Sequence, residues 1–174
     1  MQSGEEVRAL RKKGKWIAIA GLAVLVVFLS LFAAAQRPLK ADGITTIAES
    51  ETLIIGLVNH GFWDIKLTDV AVNGKWRPAQ EVQLIVSYTL HLVAGSGLEE
   101  DPNIKFVAMD AMKIHPKLST EEVQKYKGST DTPIGYGIRI SSEDKIEQIT
   151  IRYNYMGLPF TKTMTVDQWP ASNF

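Results

Sequence analysis

The 174-residue chain contains no cysteine. That absence removes disulfides, thiolate zinc sites, iron–sulfur clusters, cysteine nucleophiles and lipid attachment through a thiol. A domain built from this sequence must rely on its apolar core alone. Histidine is scarce: His60, His91 and His115 are widely separated. None forms the His-x-x-x-His pair that sets two zinc ligands on one helical face, so three surface histidines are expected. No Gly-x-x-x-x-Gly-Lys phosphate loop and no Gly-x-Gly-x-x-Gly dinucleotide turn occurs. Gly95-Ser96-Gly97 falls one spacing short of the Gly-x-Ser-x-Gly elbow and reads as a flexible connection. The acidic residues Glu99, Glu100, Asp101 and Asp110 lack the ordered spacing with which a loop offers calcium about six to eight oxygens. These patterns predict no catalytic residue, no metal and no cofactor. The alternative is an exported hydrolase or metal-binding enzyme whose residues are scattered in sequence.

One stretch lacks charge altogether. Trp16 to Ala35 is 20 residues long, with Ser30 as its only hydroxyl. At about 1.5 Å per residue, a helix of that length matches the roughly 30 Å hydrocarbon core of a bilayer. Arg8, Arg11, Lys12, Lys13 and Lys15 precede it, against Glu5 and Glu6, and only Arg37 and Lys40 follow before the charges mix. The excess of basic residues predicts a cytoplasmic tail over 1–15, a single transmembrane helix over 16–35 and an extracytoplasmic remainder. Trp16 would sit at the inner interface. The competing reading is a signal peptide cleaved after Ala35, since Ala33-Ala34-Ala35 suits signal peptidase. The apolar run is longer than the usual cleaved core of about 7–15 residues, which favours a retained anchor.

Net charge is zero over the whole chain, but the tail through Lys15 carries five basic and two acidic residues, and the remainder 14 and 17. A remainder at −3 argues against nucleic acid as a partner. The expected partners are the membrane itself and a protein or cell-envelope component, with the oligomeric state open.

Residues 36–42, with Pro38, read as a juxtamembrane linker, 43–169 as one domain with its own core, and 170–174 as a tail. Within the domain the dominant signal is alternation of period two. Val82, Leu84, Val86, Tyr88, Leu90 and Leu92 make one apolar face. Ile149, Ile151, Tyr153 and Tyr155 make another, with Thr150, Arg152 and Asn154 on its reverse. Weaker runs cover 53–58, 65–72, 104–109, 134–140 and 160–166. Asn73-Gly74 is a tight-turn signal, Asn59-His60-Gly61 a second turn, and Met156-Gly157-Leu158-Pro159 a hairpin. Thr161, Thr163 and Thr165 share one face, expected to be solvated. One short helix interrupts the strands: Ser119 and Glu122 form a capping box, Lys125 and Lys127 lie near its end, and Gly128 can close it. Val123 and Tyr126 would pack it on the sheet.

About seven short strands with short connections predict an all-β, immunoglobulin-like two-sheet antiparallel sandwich with one short helix, preceded by the transmembrane helix. A fibronectin-like variant fits the lack of cysteine, and a closed barrel is the alternative. The aromatics Phe62, Trp63 and Trp76 flank two turns that are neighbours if strands 51–58, 65–72 and 75–92 lie side by side. They are the candidate contact patch for a protein or a glycan. The size of the rings favours the opposite reading, in which Trp63 and Trp76 plug the end of the core.

The run Leu57-Val58-Asn59-His60-Gly61-Phe62-Trp63-Asp64-Ile65, then Val70-Ala71-Val72-Asn73-Gly74, resembles small bacterial membrane-anchored proteins of unassigned activity. Ile151 to Phe160 is similar to the closing hairpin of that group. The resemblance covers most of 44–167. It implies an immunoglobulin-like exported domain and brings no catalytic residue with it.

Overall fold

A computed structural model describes residues 16, 19–29, 37–47, 52–77, 81–89, 98 and 100–168. The chain divides into two compact units, the second beginning at Pro38. In the first unit Trp16 and residues 19–29 (α1) are helical, with their large apolar side chains exposed. Among the described residues no helix is long and apolar enough to cross a membrane. The expected tail over 1–15 and parts of the expected span 16–35 lie outside those residues.

The second unit is mostly β. Its strands are β1 (Leu39–Ile47), β2 (Thr52–Asn59), β3 (Ile65–Val72), β4 (Lys75–Trp76), β5 (Val82–Ser87), β6 (Ile104–Ala108), β7 (Gly135–Ser141), β8 (Gln148–Tyr155) and β9 (Leu158–Thr165). A helix, α2 (Thr120–Tyr126), precedes β7, and a 3-10 turn, Val166–Gln168, follows β9. The strands form two sheets in the orders β1-β2-β7-β5-β6 and β4-β3-β8-β9, and each pairing is antiparallel. The arrangement fits a two-layer sandwich.

Alternation explains the core. Ile149, Ile151, Tyr153 and Tyr155 on β8 face Ile65, Leu67, Val70 and Val72 on β3 within one sheet. They join Leu53, Ile55 and Leu57 of β2, Val82, Leu84 and Val86 of β5, and Ile138 and Ile140 of β7 from the other. Each such aliphatic side chain contributes about 1.5–3 kcal/mol when removed from water. The reverse face of β5 is less polar in its surroundings than alternation implies. Ile85 is buried with Ile54 and Ile104, and Leu98 and Phe106 pack against them. The Arg139 guanidinium lies 4.4 Å over the Phe106 ring, covering the cluster with a cation. Leu90 and Leu92 lie outside the described residues.

The stretch expected as a linker over 36–42 instead contains the start of β1, whose Leu39 is fully buried. A β-bulge between Ala41 and Ile44 breaks the period-two pattern there. Gly43, at φ 100°, supplies the kink. The bulge brings the Asp42 carbonyl over β2, where a Cβ on Gly56 would stand 2.5 Å from that oxygen.

Two turns behave as their sequences require. Asn73 and Gly74, at φ 50° and 79°, join β3 to β4, and Met156 and Gly157, at φ 54° and 78°, join β8 to β9. Positive φ at both central residues is the signature of the hairpin turn that matches strand twist. The helix also starts as expected. Ser119 Oγ accepts from the Glu122 amide, and the Glu122 carboxylate accepts from the Ser119 amide at 2.8 Å. These bonds, with the Ser119 amide first, hold the Glu122 carboxyl below its usual range. No residue of α2 is buried, but Val123 and Tyr126 are half-covered.

Candidate functional site

One end of the sandwich is tied together by polar contacts. Asn59, buried at the end of β2, donates from Nδ2 to the Trp63 carbonyl at 2.8 Å and to the Ile114 carbonyl at 3.0 Å. Its Oδ1 accepts from the Gly61 amide at 2.8 Å. The Tyr155 hydroxyl, from the end of β8, accepts from the Phe62 amide at 3.2 Å. Gly61 is pressed so closely that a Cβ there would meet the Tyr155 hydroxyl at 2.6 Å and Pro38 Cβ at 2.9 Å. The start of β1, the β2–β3 connection and the tip of the β8–β9 hairpin therefore share one pole. The opposite pole is closed by Asn73, which accepts from the Glu147 and Gln148 amides, and by Arg77, which donates to Ser142.

The three aromatic candidates are all exposed: Phe62 at 82%, Trp63 at 60% and Trp76 at 42%. Plugging of the core by Trp63 and Trp76 is therefore not what occurs. The three do not converge either. Phe62 and Trp63 sit before Ile65, whereas Trp76 pairs with Ala71 near the far end of β3. Six residues of strand at about 3.3 Å each separate those levels by roughly 20 Å. The two turns were expected to be neighbours if β2, β3 and the strand after them lay side by side; they flank the two ends of β3 instead, and β2 and β3 belong to different sheets. Trp76 lies instead against Arg152, whose guanidinium carbon is 3.7 Å from the ring centroid. The residues that do join Phe62 and Trp63 at their pole are Met156 and Leu158 of the hairpin, exposed at 51% and 37%. Sequence gave no sign of that grouping, because it depends on which hairpin tip meets which crossover.

The remaining candidate groups have structural occupations. His115 Nδ1 is 2.7 Å from Asp64 Oδ1, with Lys113 Nζ 3.9 Å from the other oxygen. Such exposed pairs contribute little stability. Asp101 Oδ1 accepts from the Asn103 amide at 2.8 Å, closing its own turn. Ser142 Oγ accepts from Arg77 and from the Asp144 amide, which occupies it in its own turn. Among the described residues no three His, Asp or Glu side chains gather as a metal site. His91, Glu99 and Gly95-Ser96-Gly97 lie outside the described residues, as do Trp169 and the expected tail over 170–174.

A pocket of about 210 Å³ lies between the β1-β2-β7 sheet and the segment that carries α2. Leu57, Val58, Leu118, Val123, Ile134 and Tyr136 line it, with Gly56, Gly135 and Pro133. The segment reaches this position because Pro116 bridges to Asn59 and the Lys117 amide donates to the Asn59 carbonyl, alongside β2 just beyond the first residue of β7. Tyr136 is the chemically distinctive member. Its ring meets His115 edge-on at 6.4 Å, and its hydroxyl, buried, makes no hydrogen bond among the described residues. Burial pushes that hydroxyl up to about 12, the His115 main chain opposing. It is thus a neutral donor at physiological pH. No sequence signal pointed to this pocket, since its glycines and prolines are far apart in the chain and carry no motif.

No family model, no curated protein and no solved structure matches this chain.

Proposed function

We propose that the chain is a non-enzymatic binding module: an immunoglobulin-like domain held outside the cytoplasm by a membrane anchor over 16–35. Strand order supports the immunoglobulin-like reading. Lettering β1, β2, β7 and β5 as A, B, E and D, and β4, β3, β8 and β9 as C′, C, F and G, reproduces the two sheets of that fold, with β6 added beside D. The uncharged run from Trp16 to Ala35 and the basic residues before it support the anchor and its orientation.

The observation that carries the binding role is the pocket beside α2. At about 210 Å³ it is smaller than the roughly 300–1,000 Å³ that encloses a drug-sized ligand. That volume suits one inserted apolar side chain of a protein partner. Two experiments test the proposal. A cysteine at Thr161, unique in this chain, should react with a membrane-impermeant maleimide in intact cells, and the protein should stay in the membrane pellet after alkaline extraction. Labelling only after lysis reverses the orientation, and a soluble product beginning at Gln36 replaces the anchor with a cleaved signal. A photo-crosslinking residue at Leu118 should form a discrete protein adduct that Val123→Trp, by filling the pocket, abolishes. An adduct pattern no different from that of a crosslinker at Thr163 refutes the binding role.

A further inference from the structure

We propose that the pole bearing Phe62, Trp63, Met156 and Leu158 is a membrane-docking tip, which inserts its apolar side chains into the headgroup region beside the anchor. The inference rests on the anchor proposed above and adds to it a second contact with the bilayer.

Chain length brings the tip to the lipid. The apolar run ends at Ala35 and the domain begins at Pro38, so only Gln36 and Arg37 intervene. Three residue steps span at most about 11 Å when fully extended. The headgroup layer is itself roughly 5–8 Å deep on each side of the hydrocarbon core. Pro38 is therefore held within or just above that layer. It is also fixed to the tip: the His60 amide donates to its carbonyl at 2.8 Å, and a Cβ on Gly61 would touch its ring. Phe62 and Trp63 follow directly in the chain.

The chemistry of the tip suits that location. Four large apolar side chains stand exposed on two adjacent loops, and isolation from water is what such a group lacks. Trp is enriched at membrane interfaces, where an indole meets both apolar and polar surroundings. Asp64, which follows Trp63, is tied back by a contact with His115 Nδ1 at 2.7 Å and lies 3.9 Å from Lys113 Nζ. The loops are rigid rather than adaptable, because Asn59 and Tyr155 hold their main chain. Towards the opposite pole, the one exposed large apolar side chain among the described residues is Trp76, and the Arg152 guanidinium covers its ring.

The test uses the full chain in vesicles of phosphatidylethanolamine and phosphatidylglycerol. Three single-cysteine proteins, Phe62→Cys, Lys75→Cys and Leu25→Cys, carry an environment-sensitive fluorophore, and lipids spin-labelled near the headgroup quench it. Phe62 and Lys75 are exposed, so neither label disturbs the core. Quenching at Phe62 at least about twofold stronger than at Lys75, with a blue-shifted emission, is the expected result for an interfacial side chain. Equal, weak quenching at Phe62 and Lys75, with Leu25 protected from aqueous quencher, overturns the tip and leaves the anchor standing. A Leu25 label open to aqueous quencher overturns the anchor and the tip with it. A blue shift at Phe62 that grows with protein density but is insensitive to the spin-labelled lipid assigns the tip to a second copy, and likewise overturns the proposal.

Discussion

Replacing Asn59 with alanine tests the organisation of the whole pole. The side chain is buried and makes three hydrogen bonds, to the Trp63 carbonyl, the Ile114 carbonyl and the Gly61 amide. Each such bond contributes about 0.5–1.5 kcal/mol net. A larger loss would follow if the abandoned groups were sealed from water, but they are not. The Ile114 carbonyl keeps the Ile65 amide at 3.0 Å, and Gly61 and Trp63 lie in a loop that water can reach. The expected loss is thus about 3 kcal/mol, or roughly 10 °C in Tm for a domain of this size. Urea unfolding of the full chain in detergent, followed by far-ultraviolet dichroism, measures it. Asn59→Asp sharpens the test. A carboxylate there would face two carbonyl oxygens, so its folded pKa must rise above the unfolded value of about 3.9. A raised acid keeps its stability below the unfolded pKa and loses it as pH increases. Asn59→Asp should therefore approach the wild type in acid and weaken towards neutrality, while Asn59→Ala shows no such trend. Asn59→Ala within about 0.5 kcal/mol of wild type, or Asn59→Asp weakening in acid, refutes the clamp.

Gly56→Ala should lower stability by about 1–3 kcal/mol, because the obstructing atom is a main-chain carbonyl with no rotamer to move, and faster amide exchange in β1 would report where the strain goes. Gly21→Ala, with nothing within 4 Å of its Cβ position, is its control. Tyr136→Phe should leave unfolding nearly unchanged, since the hydroxyl removed makes no hydrogen bond among the described residues, whereas Tyr155→Phe should cost about 1 kcal/mol by orphaning the Phe62 amide. Ser119→Ala should raise exchange at the Glu122 and Val123 amides by roughly tenfold or less, a cap of about 1 kcal/mol, with little effect on global unfolding. The same helix start should loosen as pH falls below 4.5, the ordinary value of Glu122. Its carboxyl is lowered by Ser119, so that contribution exists above the unfolded pKa and disappears as the folded pKa is crossed. Backbone exchange, corrected for its intrinsic pH dependence, would show no such loosening if the capping box were absent.

Much of the sheet was legible because half-buried strands leave a period-two record; β8 carries it without interruption, and β3 carries it on both sides of a bulge between Leu67 and Asp69. The helix start and both hairpin turns were legible for a different reason: Ser119, Glu122, Asn73, Gly74 and Gly157 act on their own backbone, within a few residues. Failures arose where the cause is not local. β1 hid behind its bulge, since Lys40, Asp42 and Gly43 look like a linker until the partner strand is known. The aromatics were visible individually, but their grouping was not. Phe62 and Trp76 are 14 positions apart in sequence, and the length of β3 between them sets them at different ends. The pocket beside α2 left the least trace, being made of glycines, prolines and aliphatic side chains that each have an ordinary use elsewhere.

The direction of the first and last strands has a mechanical meaning. β1 departs from the pole that holds Pro38, and β9 ends at the other pole, where Val166–Gln168 continues. Tension between Pro38 and Gln168 would run parallel to the strands. The β1–β2 and β8–β9 ladders would then be sheared lengthwise, with their hydrogen bonds sharing the load instead of parting one after another. Under such a pull the lifetime of the domain is set by its unfolding rate, not by its equilibrium stability. The sandwich would behave as a stiff tie, inextensible up to a sharp failure force.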